Sequence, residues 1–224
     1  MGFGKKTGLV LAAVVGMGFF LSFLIMLDLG TDPCSFMSLH VSADLRAAGL
    51  SIFTFGTWNL IMNLFLFVIV VVFDRKLIGL GTIFNMVLIG YIADFCDWIW
   101  RRTIPSAYFT ALPMRGILFA VALAGFIITA AIYMNAAMGV APYDAMPIII
   151  AAHVKKIPSS LIRILYDMSV IAIGFIAGGV PGICTILMAF FLGPAISLVG
   201  KLMKKTVAPR APKTERSAGG VTAG

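Results

Sequence analysis

Residues 28–37 read Asp-Leu-Gly-Thr-Asp-Pro-Cys-Ser-Phe-Met, and residues 137–146 read Ala-Met-Gly-Val-Ala-Pro-Tyr-Asp-Ala-Met. Gly30, Pro33 and Met37 return as Gly139, Pro142 and Met146, an offset of 109. Gly-x-x-Pro ends one helix and starts another, since Gly takes backbone angles closed to other residues and Pro suits a helix's first turn. The offset extends upstream, where Leu9, Ala13 and Gly16 match Leu118, Ala122 and Gly125. Downstream, Gly79-Leu80-Gly81-Thr82-Ile83 pairs with Gly182-Ile183-Cys184-Thr185-Ile186, and Gly90 with Gly193, now at 103. Ordered agreement over ~100 residues marks an internal duplication.

The chain around these stretches is too apolar for water. Apolar residues make up 61% of 224 positions and charged residues 12%, and the one Glu is Glu215. Soluble domains run nearer about half apolar and a quarter charged. Runs of about 20 apolar residues, enough to cross ~30 Å of hydrocarbon, fall at 8–28, 56–73, 79–100, 114–137, 159–178 and 182–202. Lys5 and Lys6 open the first run, which is too long for a signal-peptide core and reads as a retained span. The segments 33–48 and 142–154 are shorter and mixed in polarity. They read as short helices that enter the protein without crossing, or that lie at its edge. The expected fold is all-α: a polytopic membrane bundle of about six transmembrane helices plus two short Gly-x-x-Pro elements.

Each half holds three spans, residues 1–105 and 106–203, with a basic tail at 204–224 expected to be disordered. Three is odd, so the second copy enters the bilayer upside down, giving an inverted-topology repeat with a polar site near midplane. The net charge of +8 lies in short clusters between apolar runs, as orientation signals do, and excludes nucleic acid as a partner. With both termini cytoplasmic, Lys5/Lys6, Arg75/Lys76, Lys155/Lys156 and Lys201 onward lie inside. Arg101 and Arg102 run against the rule.

Six residues are candidates for a site. Asp32 precedes Pro33 as an N-cap would, and Asp144 falls near the third position of its helix. Both are caps, or else mark helix N-termini able to take an anion. Arg163 and Asp167 are one turn apart, ~12 Å deep for Asp167 at 1.5 Å per residue. They form a structural ion pair or a substrate or proton site. Asn59 and Asn63 share a face in the matching stretch of the first half, with Asn85 and Asn135 on the third and fourth spans. Such amides bind neighbouring helices or line a cavity with Arg163 and Asp167. Asp94 and Asp97, beside Trp98 and Trp100, read as an interfacial belt. Cys34, Cys96 and Cys184 are odd in number and far apart, and His40 and His153 lack a partner at helical spacing. No metal or cofactor set is indicated, and no GxSxG, HExxH, Walker or SxxK motif points to an enzyme.

Gly-x-x-Pro after the first span, Gly79-x-Gly81-Thr82, Gly-x-x-Pro-x-Asp at 139–144, Arg163-x-x-x-Asp167 and Gly-Gly-x-x-Gly-Ile at 178–183 occur together. This set resembles the YczE/YyaS/YitT group of bacterial membrane proteins, nearest the YczE-like branch, over about residues 8–202. The resemblance implies a bacterial inner-membrane location and this fold, and names no substrate. Two functions follow from the residues: a permease moving a small solute between the halves, within one chain or a homodimer, or an accessory scaffold for another membrane protein. A third, weaker one is an intramembrane enzyme.

Overall fold

The computed structural model describes residues 2–207, and all their regular structure is helical. In chain order the helices are α1 (Phe3–Leu27), α2 (Pro33–Ala47), α3 (Phe55–Phe73), α4 (Leu80–Thr103), α5 (Ala107–Thr110), α6 (Met114–Asn135), α7 (Pro142–His153), α8 (Ser159–Ile176) and α9 (Ile183–Val207), with a 3-10 turn at Arg75–Leu77. Helices α1, α3, α4, α6 and α8 are long and apolar enough to cross a membrane. The sixth expected span is α9, whose apolar stretch is shorter, Ile183–Pro194. Helix α9 runs on to Val207, so the first four residues assigned to the tail continue it. Residues 208–224, the rest of that tail, lie outside the described residues. At 15 and 12 residues, α2 and α7 reach only ~22 and ~18 Å, short of a bilayer core.

Helix α1 is the centre of the bundle. Val10, Val14, Leu21 and Leu24 are fully enclosed and pack with Ile89 and Ala93 of α4 and Phe126 and Ala130 of α6. Large apolar side chains on the outer helices remain exposed, among them Phe65 and Val72 of α3, Phe175 of α8 and Phe191 of α9. Lipid is the solvent such a surface fits. Between helices in lipid, close van der Waals approach replaces hydrophobic driving force, and small residues allow it. Gly18 lies against Ile92 and Gly56 against Gly90, leaving no room for a Cβ at these crossings.

The contacts give the direction of each helix. Val10 meets Gly81, and Ser22 accepts a 2.9 Å hydrogen bond from Trp100 Nε1, so α1 and α4 run parallel. Tyr133 also meets Gly81, while Arg115 Nη2 and Nε donate to Leu27 O at 2.6 and 2.9 Å, so α6 runs antiparallel to α1. Arg115 thereby meets the free carbonyls that end α1, where positive charge is favoured. Phe73, ending α3, packs on His153, ending α7, with ring centroids 5.9 Å apart. Lys5/Lys6, Arg75/Lys76 and Lys155/Lys156 therefore share one end of the bundle.

Several contacts recur at the offsets seen in the sequence. Gly16 packs on Thr129, and Gly125, 109 residues on from Gly16, packs on Phe20, 109 residues before Thr129. Gly30 lies against Cys184 and Thr185, and Gly139 against Gly79 and Thr82. Both are left-handed, at φ +115° and +104°, angles that glycine adopts without strain. Gly182 likewise sits on Leu29, and Gly79 on Met138.

Asp94 departs from the expected belt. Its Oδ2 accepts from Gly56 N at 2.8 Å, in the first turn of α3, where amide groups lack helical partners. Asp97 keeps the outer position and pairs with Arg101 at 2.6 Å, while Arg102 lies over Trp98. Trp100 turns inward to Ser22. Asp94→Ala should lower the unfolding free energy by about 1 kcal/mol, as lost helix caps do. Thermal unfolding in detergent would check this, and an unchanged midpoint would refute the assigned role.

Candidate functional site

Helices α2 and α7 both begin in the interior and run to opposite ends of the bundle. Asp32 is the N-cap of α2, Pro33 its first residue, and Asp32 Oδ2 accepts from Ser35 N at 3.1 Å. From there α2 runs beside α8, Phe36 and Met37 against Gly174 and His40 against Gly179. Helix α7 starts with Pro142 after Ala141, which offers no side-chain cap, and carries Asp144 in its first turn. It runs the other way, Ala145 and Ile149 packed on Val70 of α3. Pro147 lies inside α7, where its missing amide leaves the carbonyl of Tyr143 without a helical donor.

The two N-termini meet at one cavity of about 70 Å3. A water needs about 10–15 Å3 by this measure, so a few waters or one small group fits. Its polar wall comprises Asp32 and Ser35 from α2, Asn59 and Asn63 from α3, Asn85 from α4, Tyr133 from α6, Tyr143 and Asp144 from α7, and Arg163 from α8. Met17, Leu21, Phe55, Ile89 and Phe126 complete it with apolar surface.

Arg163 holds two carboxylates. Its Nη2 lies 2.7 Å from Asp144 Oδ1, and its Nε donates to Asp167 Oδ2 at 3.1 Å. Tyr143 donates from its hydroxyl to Asp167 Oδ1 at 2.7 Å, so both oxygens of Asp167 are engaged. Asp167 is 2% exposed and stands behind Arg163, outside the cavity wall. Arg163 and Asp144 are about a quarter exposed. A guanidinium between two carboxylates ties α7 to α8 through charge-assisted bonds of fixed geometry.

Across the cavity, Asn63 Nδ2 donates to Asn59 O at 2.9 Å and to Asn59 Oδ1 at 3.3 Å. Asn59 and Asn63 stand 104 residues before Arg163 and Asp167 and repeat their spacing in neutral form. All six candidate residues therefore fall in one cluster, five on the wall and Asp167 directly behind it. Asn85 joins the wall, but Asn135 does not: its Nδ2 donates to Ala131 O on its own helix at 2.8 Å. Asp32 caps the N-terminus of α2, whereas α7 has no side-chain cap and Asp144, in its first turn, pairs with Arg163 instead. Sequence reasoning missed Tyr133 and Tyr143. The available signal was a phenol within an apolar run, since a buried hydroxyl normally requires a partner.

Three buried polar atoms of wall residues have no hydrogen-bond partner: Asp32 Oδ1, Asn63 Oδ1 and the Tyr133 hydroxyl. Among the described residues no three His, Cys, Asp or Glu side chains gather as metal ligands would.

A family model of unknown function, DUF6198, matches residues 4–201, from the start of α1 into α9. The chain belongs to that family. The match takes in every helix that builds the cavity. No curated protein and no solved structure matches the chain. The membrane-helical architecture is thus what is established for this DUF6198 member, and its chemistry has to be read from the site.

Proposed function

We propose that the protein is a bacterial inner-membrane permease for a small solute, built from two inverted copies and carrying its site where they meet. One observation carries this reading: the N-termini of two half-length helices, running to opposite ends, converge on one cavity whose largely apolar wall carries a cluster of polar and charged side chains. Broken helices meeting at mid-depth supply polar groups where irregular backbone is tolerated because it lines a cavity. The contacts exchanged between α1 and α6 and between the two glycine turns support the inverted pairing. The shared end of three basic clusters supports cytoplasmic termini. The site has no assigned catalytic role, and kinship with the YczE/YyaS/YitT group is part of the same proposal.

Asp167 supports a second reading. Sealed behind Arg163 with both oxygens engaged, it suits a static scaffold that braces another membrane protein. Uptake into proteoliposomes, screened over small cations, anions and neutral solutes, separates the two. A permease carries at least one solute faster than protein-free vesicles do. In that case Asp167→Asn should cut uptake at least tenfold. Tyr143→Phe should cut it several-fold, the loss of one hydrogen bond worth about 1 kcal/mol. A folded wild type that carries nothing across the panel favours the scaffold.

A further inference from the structure

The charge and hydrogen-bonding character of the cavity select the kind of solute. Asp32, Asp144 and Asp167 place three carboxylates at or behind the wall, and Arg163 alone opposes them. The two helix N-termini add the equivalent of about half a positive charge each. Roughly one negative charge is left uncompensated. It is divided between Asp32, met only by its own helix end, and the Arg163 cluster, where one guanidinium faces two carboxylates; among the described residues no basic side chain lies within ion-pair distance of Asp32.

The unpartnered atoms point the same way. Asp32 Oδ1 and Asn63 Oδ1 can only accept hydrogen bonds from a solute, and the Tyr133 hydroxyl is able to accept. Asp32 is 91% buried by its 9% exposure, and Asn63 and Tyr133 are more deeply buried still. Buried polar atoms left in this condition are costly unless a ligand or water meets them. A monovalent cation that donates hydrogen bonds suits both the residual negative charge and these oxygens. A primary ammonium group has three N–H donors, as many as the unpartnered oxygens of the wall. Phe55 and Phe126 also line the cavity and offer apolar surface to an alkyl part.

We propose that the cavity binds the head of a small primary amine as its ammonium cation. For transport the inference rests on the permease reading above; for binding it stands alone.

Methylammonium, which fits about 70 Å3, is the probe. Detergent-purified full-length protein is titrated at constant ionic strength with methylammonium, tetramethylammonium, sodium or formate, and thermal unfolding is followed. Methylammonium should raise the midpoint saturably. Tetramethylammonium, with no N–H donor, should not, nor should sodium or formate. Asp32→Asn keeps a good N-cap and removes the charge, and should weaken apparent affinity at least tenfold. Tyr133→Phe removes one hydroxyl and should weaken it several-fold, which guards against a folding defect in the first variant. Equal stabilisation by sodium or tetramethylammonium, stabilisation by formate alone, or no saturable shift would overturn the inference. Saturable binding without uptake into vesicles would refute the permease and leave the amine site standing. Uptake of another solute that depends on Asp167, uncompeted by methylammonium, would do the reverse.

Discussion

Arg163→Ala should cost the fold about 3–5 kcal/mol, the range found when one partner of a buried ion pair is removed. The effect is large because the guanidinium serves two carboxylates and one of them, Asp167, is almost wholly enclosed. Without Arg163, Asp167 keeps only the Tyr143 hydroxyl, and Asp144 loses its 2.7 Å partner. A charge so placed is neither hydrated nor paired, and neutralising it or opening the α7–α8 contact both cost free energy. Unfolding of the purified protein in a denaturing detergent series measures this. The combined variant Arg163→Ala, Asp144→Asn, Asp167→Asn should recover most of the loss, because it removes the orphaned charges together with the cation. A single variant as stable as wild type, or a triple variant no better than the single, would show that the cluster does not tie these helices.

Gly139→Ala should be nearly as damaging, at about 3 kcal/mol. Its φ of +104° strains any residue with a Cβ, for about 1–3 kcal/mol. The added methyl would also meet Thr82 Oγ1 and the backbone of Gly79. Thr82 Oγ1 accepts from Gly79 N at 3.0 Å, so it does not swing away freely. Overpacking of this kind adds about 1–3 kcal/mol. Gly30→Ala should behave alike, with φ of +115° and Thr185 in place of Thr82. Gly178→Ala is the control. Its φ is +80° but nothing lies near its missing Cβ, so only the left-handed strain of about 1–2 kcal/mol is expected. Thermal midpoints that place Gly178→Ala level with the other two would remove the close packing of the glycine turns as a cause.

Element boundaries were legible to within a few residues because hydrophobic length and Pro position act locally. The runs at 56–73 and 114–137 became α3 and α6, and the segments at 33–48 and 142–154 became α2 and α7. Pro33 and Pro142 mark helix starts through their own covalent geometry, whatever packs around them. The Arg163–Asp167 pair was legible for the same reason, since residues four apart on a helix are neighbours. Asp94 was misplaced because its partner, Gly56 N, is 38 positions away and a carboxylate near a span end looks alike whichever way it turns.

The site divides along the same line. Sequence alone determined that the chain is a membrane bundle and roughly where its helices begin, because each of these follows from free energies of transfer or from neighbours within one turn. Only the tertiary structure decided that Arg163 also binds Asp144, that Tyr143 holds Asp167, and that Asp32, Asn63 and Tyr133 face one cavity with bonds to spare. Those facts depend on how α2, α3, α6, α7 and α8 pack, and contacts between helices far apart in sequence leave no periodic trace along the chain.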